Sequence, residues 1–99
     1  MTEKRSEIVS QVLAERARQY NLPGSEWDVK NTPNDWVAIA THYLSETVRR
    51  GGNLPEEAEF HDGLIKAAAV ILAALEHTDR MVLAGTIRTP IDPTSETIT

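Results

Sequence analysis

The sequence predicts an all-α protein, an antiparallel bundle of about four helices. Apolar residues recur at spacings of three and four in two separate stretches, Ser6 to Tyr20 and Pro33 to Arg50, which is the period of amphipathic helices. Residues 58–77 hold an almost unbroken apolar run from Leu64 to Leu75 that is rich in alanine. A helix of that kind is covered on most of its sides, so we expect it at the centre of the bundle.

The first helix is expected from Ser6 to Tyr20. Its apolar residues form one stripe that we expect to be buried, namely Ile8, Val9, Val12, Leu13, Ala17 and Tyr20. Its charged residues are expected on the other, exposed side, namely Arg5, Glu15, Arg16 and Arg18. The sequence Asn21-Leu22-Pro23-Gly24 ends this helix, and the residues up to Asn34 predict a long ordered loop with Trp27 as its packing anchor.

The second helix begins after Thr32, which can cap it, with Pro33 at the first helical position and Asp35 in the first turn. We expect it to run to about Arg50 and to end at Gly51-Gly52. The central helix follows, capped by Asn53, and the sequence leaves open whether it is interrupted near Gly63. Residues 1–84 are predicted to form one helical domain, and residues 85–99, with two prolines and many threonines, an extended or flexible tail.

Composition limits the classes of function. The net charge is −5 and there is no long cationic run, which argues against duplex nucleic acid as a partner. With no cysteine the chain has no disulfides, thiolate metal sites or cysteine nucleophiles. The absence of an apolar signal segment near the start predicts a cytoplasmic protein, and an apolar run of about twelve residues is too short to cross a membrane. A 99-residue chain buries a small core, so self-association is expected.

Two groups of polar residues are candidates for a ligand site. One lies within two turns of the second helix and comprises His42, Tyr43, Glu46, Arg49 and Arg50. The other lies on one side of the central helix and comprises Glu59, Asp62, Lys66 and His77. If the two helices pack antiparallel, the two groups face each other across a pocket. The alternative is that they form ordinary ion pairs within each helix, such as Asp62 with Lys66.

Lys66 stands out because it is a cation at the start of the apolar run. Such a lysine either extends its ammonium to solvent or meets an anion. Trp27 and Trp36 are either core residues or surfaces on which a base stacks, and a tryptophan can serve as both. No P-loop, GxSxG, HExxH or GxGxxG motif is present.

Three features together resemble the phage and prophage MazG-like proteins, all-α nucleoside triphosphate pyrophosphohydrolases. They are Glu15-Arg16-Ala17-Arg18-Gln19, Asn34-Asp35-Trp36 at a helix start after a loop with a tryptophan, and the run Leu64-Ile65-Lys66-Ala67-Ala68-Ala69-Val70 ending in Leu75-Glu76. The resemblance covers about residues 10–80. It implies an antiparallel bundle, dimeric or tetrameric, in which EExxE and ExxD motifs on two helices bind Mg²⁺ and the ions hold a triphosphate.

The chain departs from that pattern at the metal ligands. The EExxE positions read His42-Tyr43-Leu44-Ser45-Glu46, and the ExxD positions read Gly63-Leu64-Ile65-Lys66. A lysine in place of an aspartate changes the local charge by two units, each worth about 4 kcal/mol at ~4 Å and an effective dielectric constant near 20. We therefore expect little affinity for metal and, instead, direct capture of phosphate by Lys66.

The sequence thus predicts a degenerate MazG-like protein that binds, and sequesters, a nucleotide or a nucleotide-derived signal without a catalytic residue and without a cofactor. In a phage this would blunt a host defence. The expected ligand-binding residues are Trp27, Trp36, His42, Tyr43, Glu46, Arg49, Arg50 and Lys66. Two alternatives remain: a Mg²⁺-dependent nucleoside triphosphate pyrophosphohydrolase that uses Glu46, Glu59 and Asp62, and a helical interaction module without a small ligand.

Overall fold

The described part of the chain is all-helical. A computed structural model describes residues 3–48 and 54–89. Its elements are α1 (Glu3–Tyr20), a 3₁₀ helix (Ser25–Lys30), α2 (Pro33–Ser45), α3 (Glu57–Glu76) and α4 (Thr78–Leu83). Over these two ranges there is no strand, and no helix is long and apolar enough to span a membrane. The all-α prediction is confirmed, and the predicted loop between the first two helices contains the 3₁₀ helix.

The start of α2 follows the sequence signal, whereas its end does not. Thr32 Oγ1 accepts a hydrogen bond from the Asp35 amide at 3.2 Å, and the Asp35 carboxylate accepts one from the Thr32 amide at 2.9 Å. The helix ends at Ser45, five residues before Arg50. There the Ser45 hydroxyl donates to the His42 carbonyl, and the Thr47 hydroxyl donates to the Leu44 carbonyl.

Those side-chain bonds explain the early end of α2. The amides of Glu46 and Thr47 bond to carbonyls three residues back, so the helix tightens and stops. The predicted terminator Gly51-Gly52 lies outside the described residues. The prediction that Asn53 caps the central helix is wrong, because α3 begins at Glu57 and its N-cap is Glu56.

The central helix α3 is continuous through Gly63, and both α1 and α2 pack against it. Gly63 faces the end of α2. A methyl group added at Gly63 would overlap the Thr47 side chain and lie 3.3 Å from the Tyr43 carbonyl oxygen. The absence of a side chain at this position therefore sets how closely α2 approaches α3.

The core is small. Among the described residues it is a cluster of Trp36, Val70, Ala73 and Met81, the last supplied by α4, with Ala40, Tyr43 and Ala74 packed against it. The ring of His77, between α3 and α4, lies 5.4 Å from the Trp36 ring. One tryptophan thus ties α2, α3 and α4 together.

Helix α1 packs on α3 with a side that coincides only in part with the predicted stripe. It has no buried residue, and its apolar stripe is largely exposed, with Leu13 at 54% and Tyr20 at 61%. Its half-buried residues are Val12, Glu15, Arg16 and Gln19. Arg16 Nε donates to Glu76 Oε1 of α3 at 2.8 Å. The prediction of a buried stripe is wrong because polar contacts to α3 orient the helix.

The segment after α4 begins with an ordered helix cap. Gly85 has a φ of 77°, its amide bonds to the Val82 carbonyl, and the Thr86 amide bonds to the Met81 carbonyl. This pattern is a Schellman motif, which needs a residue with positive φ. The first residues of the predicted tail therefore close α4, and residues 90–99 lie outside the described residues.

Candidate functional site

Four charged side chains meet where α1 packs on α3. We call Glu15, Arg18, Asp62 and Lys66 the charged cluster. Arg18 Nε and Nη2 donate to the two oxygens of Glu15 at 2.8 Å and 2.6 Å. The Lys66 ammonium lies 2.9 Å from Asp62 Oδ2. Each cation thus has a carboxylate partner on its own helix, and the two pairs come together only because the helices pack.

Electrostatic contacts connect the two pairs. The pKa of the Glu15 carboxyl is lowered, chiefly by the hydrogen bonds from Arg18 and further by Gln19 and the charge of Lys66, against an opposing effect of burial. The pKa of Lys66 is raised, chiefly by its bond to Asp62, and Glu15 adds to the effect. Lys66 is therefore held in its charged form by acids from both helices.

Gln19 joins the charged cluster to a neighbouring cleft. Its side-chain amide donates to Glu15 Oε2 at 2.9 Å and to the Lys66 backbone carbonyl at 3.2 Å. On one side lies an open groove of about 370 Å³. It is lined by Glu15, Arg18 and Asp62 of the charged cluster, together with His61 and Ile65. On the other side lies a cleft of about 220 Å³ lined by Gln19, Tyr43, Trp36 and Asp28, among others.

Only some of the predicted ligand residues are near this place. Lys66 belongs to the charged cluster, and Tyr43 lines the cleft beside Gln19. His42 and Glu46 lie exposed at the end of α2, with His42 Nε2 3.9 Å from Glu46 Oε2. Arg49 and Arg50 lie outside the described residues.

The two tryptophans have different surroundings. Trp27 is exposed on the 3₁₀ helix, where the Lys30 ammonium lies 4.8 Å from its ring centre. Trp36 is in the core, so its ring has no open face for a base, although it borders the cleft. Its indole nitrogen has no hydrogen-bond acceptor among the described residues.

His77 does not join Lys66, contrary to the expected pocket. An 11-residue step along a helix is about 16 Å, so a shared direction did not bring the two residues together. His77 Nδ1 instead lies 2.8 Å from the Ala73 carbonyl oxygen, next to Trp36.

Sequence reasoning missed Glu15, Arg18 and Gln19 as site residues. The signal was present, because spacings of three and four place these side chains together on α1 as Asp62 and Lys66 are placed on α3. The sequence predicts Glu15 and Arg18 on the side away from the apolar stripe, which is expected to point inward. The interpretation of Asp62 and Lys66 as an ion pair is confirmed.

The resemblance implies a metal-binding glutamate at position 63, but the structure has no room for a carboxylate side chain there. Because a methyl group there would already overlap the Thr47 side chain, a glutamate at this position requires that side chain or the end of α2 to shift. Within residues 3–48 and 54–89, no three His, Asp or Glu side chains come together as a metal-binding group. Glu46, Glu59 and Asp62 therefore do not form such a group there.

Comparisons of this chain with protein-family models, with curated proteins and with solved structures find no match. The resemblance to MazG-like proteins therefore stays a prediction from the sequence.

The lowered pKa of Glu15 implies a pH dependence. A carboxyl whose pKa is lowered on folding stabilises the fold above its unfolded value, 4.5, and that contribution is lost as pH falls through the folded value. We expect Glu15→Gln to remove the contribution of this carboxyl to the loss of stability at low pH. Thermal unfolding at pH 7 and pH 3.5 should show a drop in Tm that is about 1–4 °C smaller in the variant. Equal drops would contradict the assignment. Glu26→Gln on the 3₁₀ helix is the control.

Proposed function

We propose that the chain binds a nucleotide or nucleotide-like phosphate ligand without hydrolysing it, with the phosphate at the charged cluster and the base toward the cleft beside Tyr43. The observation that carries the proposal is the partly buried side chain of Lys66, whose ammonium lies 2.9 Å from Asp62 Oδ2 beside the groove that Glu15, Arg18 and Asp62 line. The antiparallel MazG-like bundle, self-association and a role in sequestering a defence signal are parts of the same proposal.

Hydrogen-bond donors remain for a ligand. An ammonium has three N–H groups and a guanidinium has five. Asp62 takes one from Lys66, and Glu15 takes two from Arg18. The others are available to phosphate oxygens, which accept charge-assisted hydrogen bonds of about 1.5–3 kcal/mol each.

The carboxylates of the cluster position the cations, and they also cancel the positive charge of those cations. Two acids and two bases give the cluster no net charge, so phosphate affinity depends on oriented donors rather than on a strong field. Asp62 therefore competes with a ligand for Lys66. This distinguishes the proposal from the enzyme alternative, in which Asp62 is a metal ligand and is required.

The cleft suits an uncharged ring better than a second phosphate. Apolar side chains of Leu22, Ile39 and Val70 line it together with Tyr43. Gln19 and Asp28 supply an amide and a carboxylate that can bond to the edge of a base. Gln19 also borders the cluster, so one ligand can reach both places.

Two substitutions test the function. Calorimetry in EDTA with nucleoside triphosphates and cyclic dinucleotides should show binding that Lys66→Ala weakens about 10–100-fold, the loss of one or two charge-assisted bonds. Asp62→Asn should leave binding as strong or make it stronger, because it frees the ammonium. Lys4→Ala, in the first turn of α1, is the control and should change nothing.

Each alternative predicts a different result. An enzyme would release pyrophosphate from a triphosphate with Mg²⁺, and Asp62→Asn or Glu46→Ala would abolish turnover. An interaction module would bind no member of the panel. Either result would reject the proposed function.

A further inference from the structure

The side-chain amide of Gln19 lies between the charged cluster and the cleft, and its orientation is fixed. Its nitrogen, which carries two N–H groups, donates to Glu15 Oε2 at 2.9 Å and to the Lys66 backbone carbonyl at 3.2 Å. Turning the amide over would place its carbonyl oxygen against these two acceptors, where no hydrogen bond can form. Gln19 therefore has no N–H left for a ligand, and only its side-chain oxygen, Oε1, can bond to one.

The charge of Glu15 keeps the amide in that orientation near neutral pH. The pKa of the Glu15 carboxyl is lowered, chiefly because Arg18 donates to it, so the group stays ionised and only accepts hydrogen bonds. The Lys66 carbonyl also only accepts. A ligand that needs a donor from Gln19 has to break both bonds, whereas a ligand that brings a donor to Oε1 breaks neither.

The second polar group with fixed chemistry in the cleft is the carboxylate of Asp28, on the 3₁₀ helix, which also only accepts. Among the described residues that line the cleft, Ser25 and Tyr43 add hydroxyls, which rotate and can donate or accept. The indole N–H of Trp36 is a donor, but it is buried. The groups of the cleft wall whose role is fixed are therefore acceptors.

We propose that the cleft selects a base with an exocyclic amino group, whose N–H groups donate to Gln19 Oε1 and to the Asp28 carboxylate. This inference rests on the proposed function and names the class of base that the same site takes. Guanine, adenine and cytosine carry such an amino group, whereas hypoxanthine, uracil and thymine have none.

The same two acceptors disfavour the other bases. Uracil has a carbonyl oxygen where cytosine has its amino group, and that oxygen would face Gln19 Oε1 and the Asp28 carboxylate, so acceptor would meet acceptor. Hypoxanthine lacks the amino group of guanine and leaves the acceptors without a donor after the base has displaced water. The carboxylate also repels a phosphate, which favours the charged cluster as the phosphate position.

Matched nucleotides that carry the same phosphates test the inference. Calorimetry in EDTA should give a Kd about 10–100-fold lower for GTP than for ITP, for CTP than for UTP, and for cyclic di-GMP than for cyclic di-IMP. Within each pair the contacts of the phosphates with Lys66 are the same, so the ratio of affinities reports the base. Equal affinities within every pair that binds would overturn this inference and leave the proposed function standing. Binding by no member of the panel would reject both.

Two variants show which groups select the base. Gln19→Met removes Oε1 at similar side-chain length and should lower the ratio of GTP to ITP affinity about 10-fold, whereas a merely structural role of Gln19 would weaken both nucleotides alike. Asp28→Asn gives the cleft a donor and should lower the same ratio by strengthening the binding of ITP. Glu26→Gln removes one charge from the same 3₁₀ helix outside the cleft lining and should keep the wild-type ratio. A wild-type ratio in both Gln19→Met and Asp28→Asn would overturn the inference.

Discussion

Trp36→Ala is expected to lower the free energy of unfolding by about 3–5 kcal/mol, the cost of deleting a large aromatic side chain from a core. Trp36 of α2 is only 5% exposed and packs with residues of α3 and α4. The alanines around Trp36 cannot fill the space that the substitution leaves, because their methyl side chains are too short to reach into it. Urea unfolding followed by circular dichroism measures the loss, at one fixed protein concentration because association would contribute to stability.

Trp27→Ala is the matched control for this prediction. Trp27 is 59% exposed, and its resolved ring contact is with Lys30, worth about 0.5–1 kcal/mol at an exposed site. We expect a loss below about 1 kcal/mol. Trp36→Phe should fall between the two, because it keeps most of the ring contacts and removes a buried N–H without an acceptor among the described residues. Equal losses for both alanine variants would contradict the position of Trp36 in the core.

Gly63→Ala is expected to destabilise the protein by about 1–3 kcal/mol, the usual cost of overpacking. Helix propensity alone would predict the opposite, a gain of about 1 kcal/mol when alanine replaces glycine inside a helix. The sign of the change in the free energy of unfolding therefore shows whether α2 and α3 are as close as they are in the structure. Urea unfolding monitored by circular dichroism measures it.

A second substitution tests the cause of that loss. Thr47→Ser keeps the hydroxyl that bonds to the Leu44 carbonyl and removes the methyl group that a side chain added at position 63 would overlap. Gly63→Ala should therefore cost less in the Thr47→Ser background than in the wild type, with a coupling energy of about 0.5–2 kcal/mol. Additive effects would show that the two residues are not in contact.

Local patterns predicted α1, the start of α2 and the helical character of α3, but not the start of α3 at Glu57 or the separate helix α4. The capping box of Thr32 and Asp35 and the glycine that closes α4 depend on neighbours in the chain, so the sequence contains all that they need. The end of α2 was harder to predict. Ser45 and Thr47 stop the helix through side-chain bonds to its own carbonyls, and hydroxyl residues have this effect only in some rotamers.

The candidate site was predictable only in part, for a physical reason. Asp62 and Lys66 lie one turn apart on one helix, so their ion pair follows from spacing. The contribution of Glu15, Arg18 and Gln19 requires knowing which side of α1 faces α3. An apolar stripe predicts that orientation only when the partner surface lies within the same chain. Here polar contacts orient α1, and much of the apolar surface on α1 and α3 points outward.

The sequence by itself determined the all-α class, the start of α2 and the continuous apolar character of α3, because these depend on contacts within a few residues. The tertiary structure decided that α1 turns Glu15, Arg16 and Gln19 to α3, that Lys66 lies among charges from two helices, and that the described residues leave the large apolar side chains from Phe60 to Leu75 exposed. Lys66 and these exposed apolar side chains lie on different sides of α3. Periodicity specifies the sides of a helix, and only packing decides what each side meets.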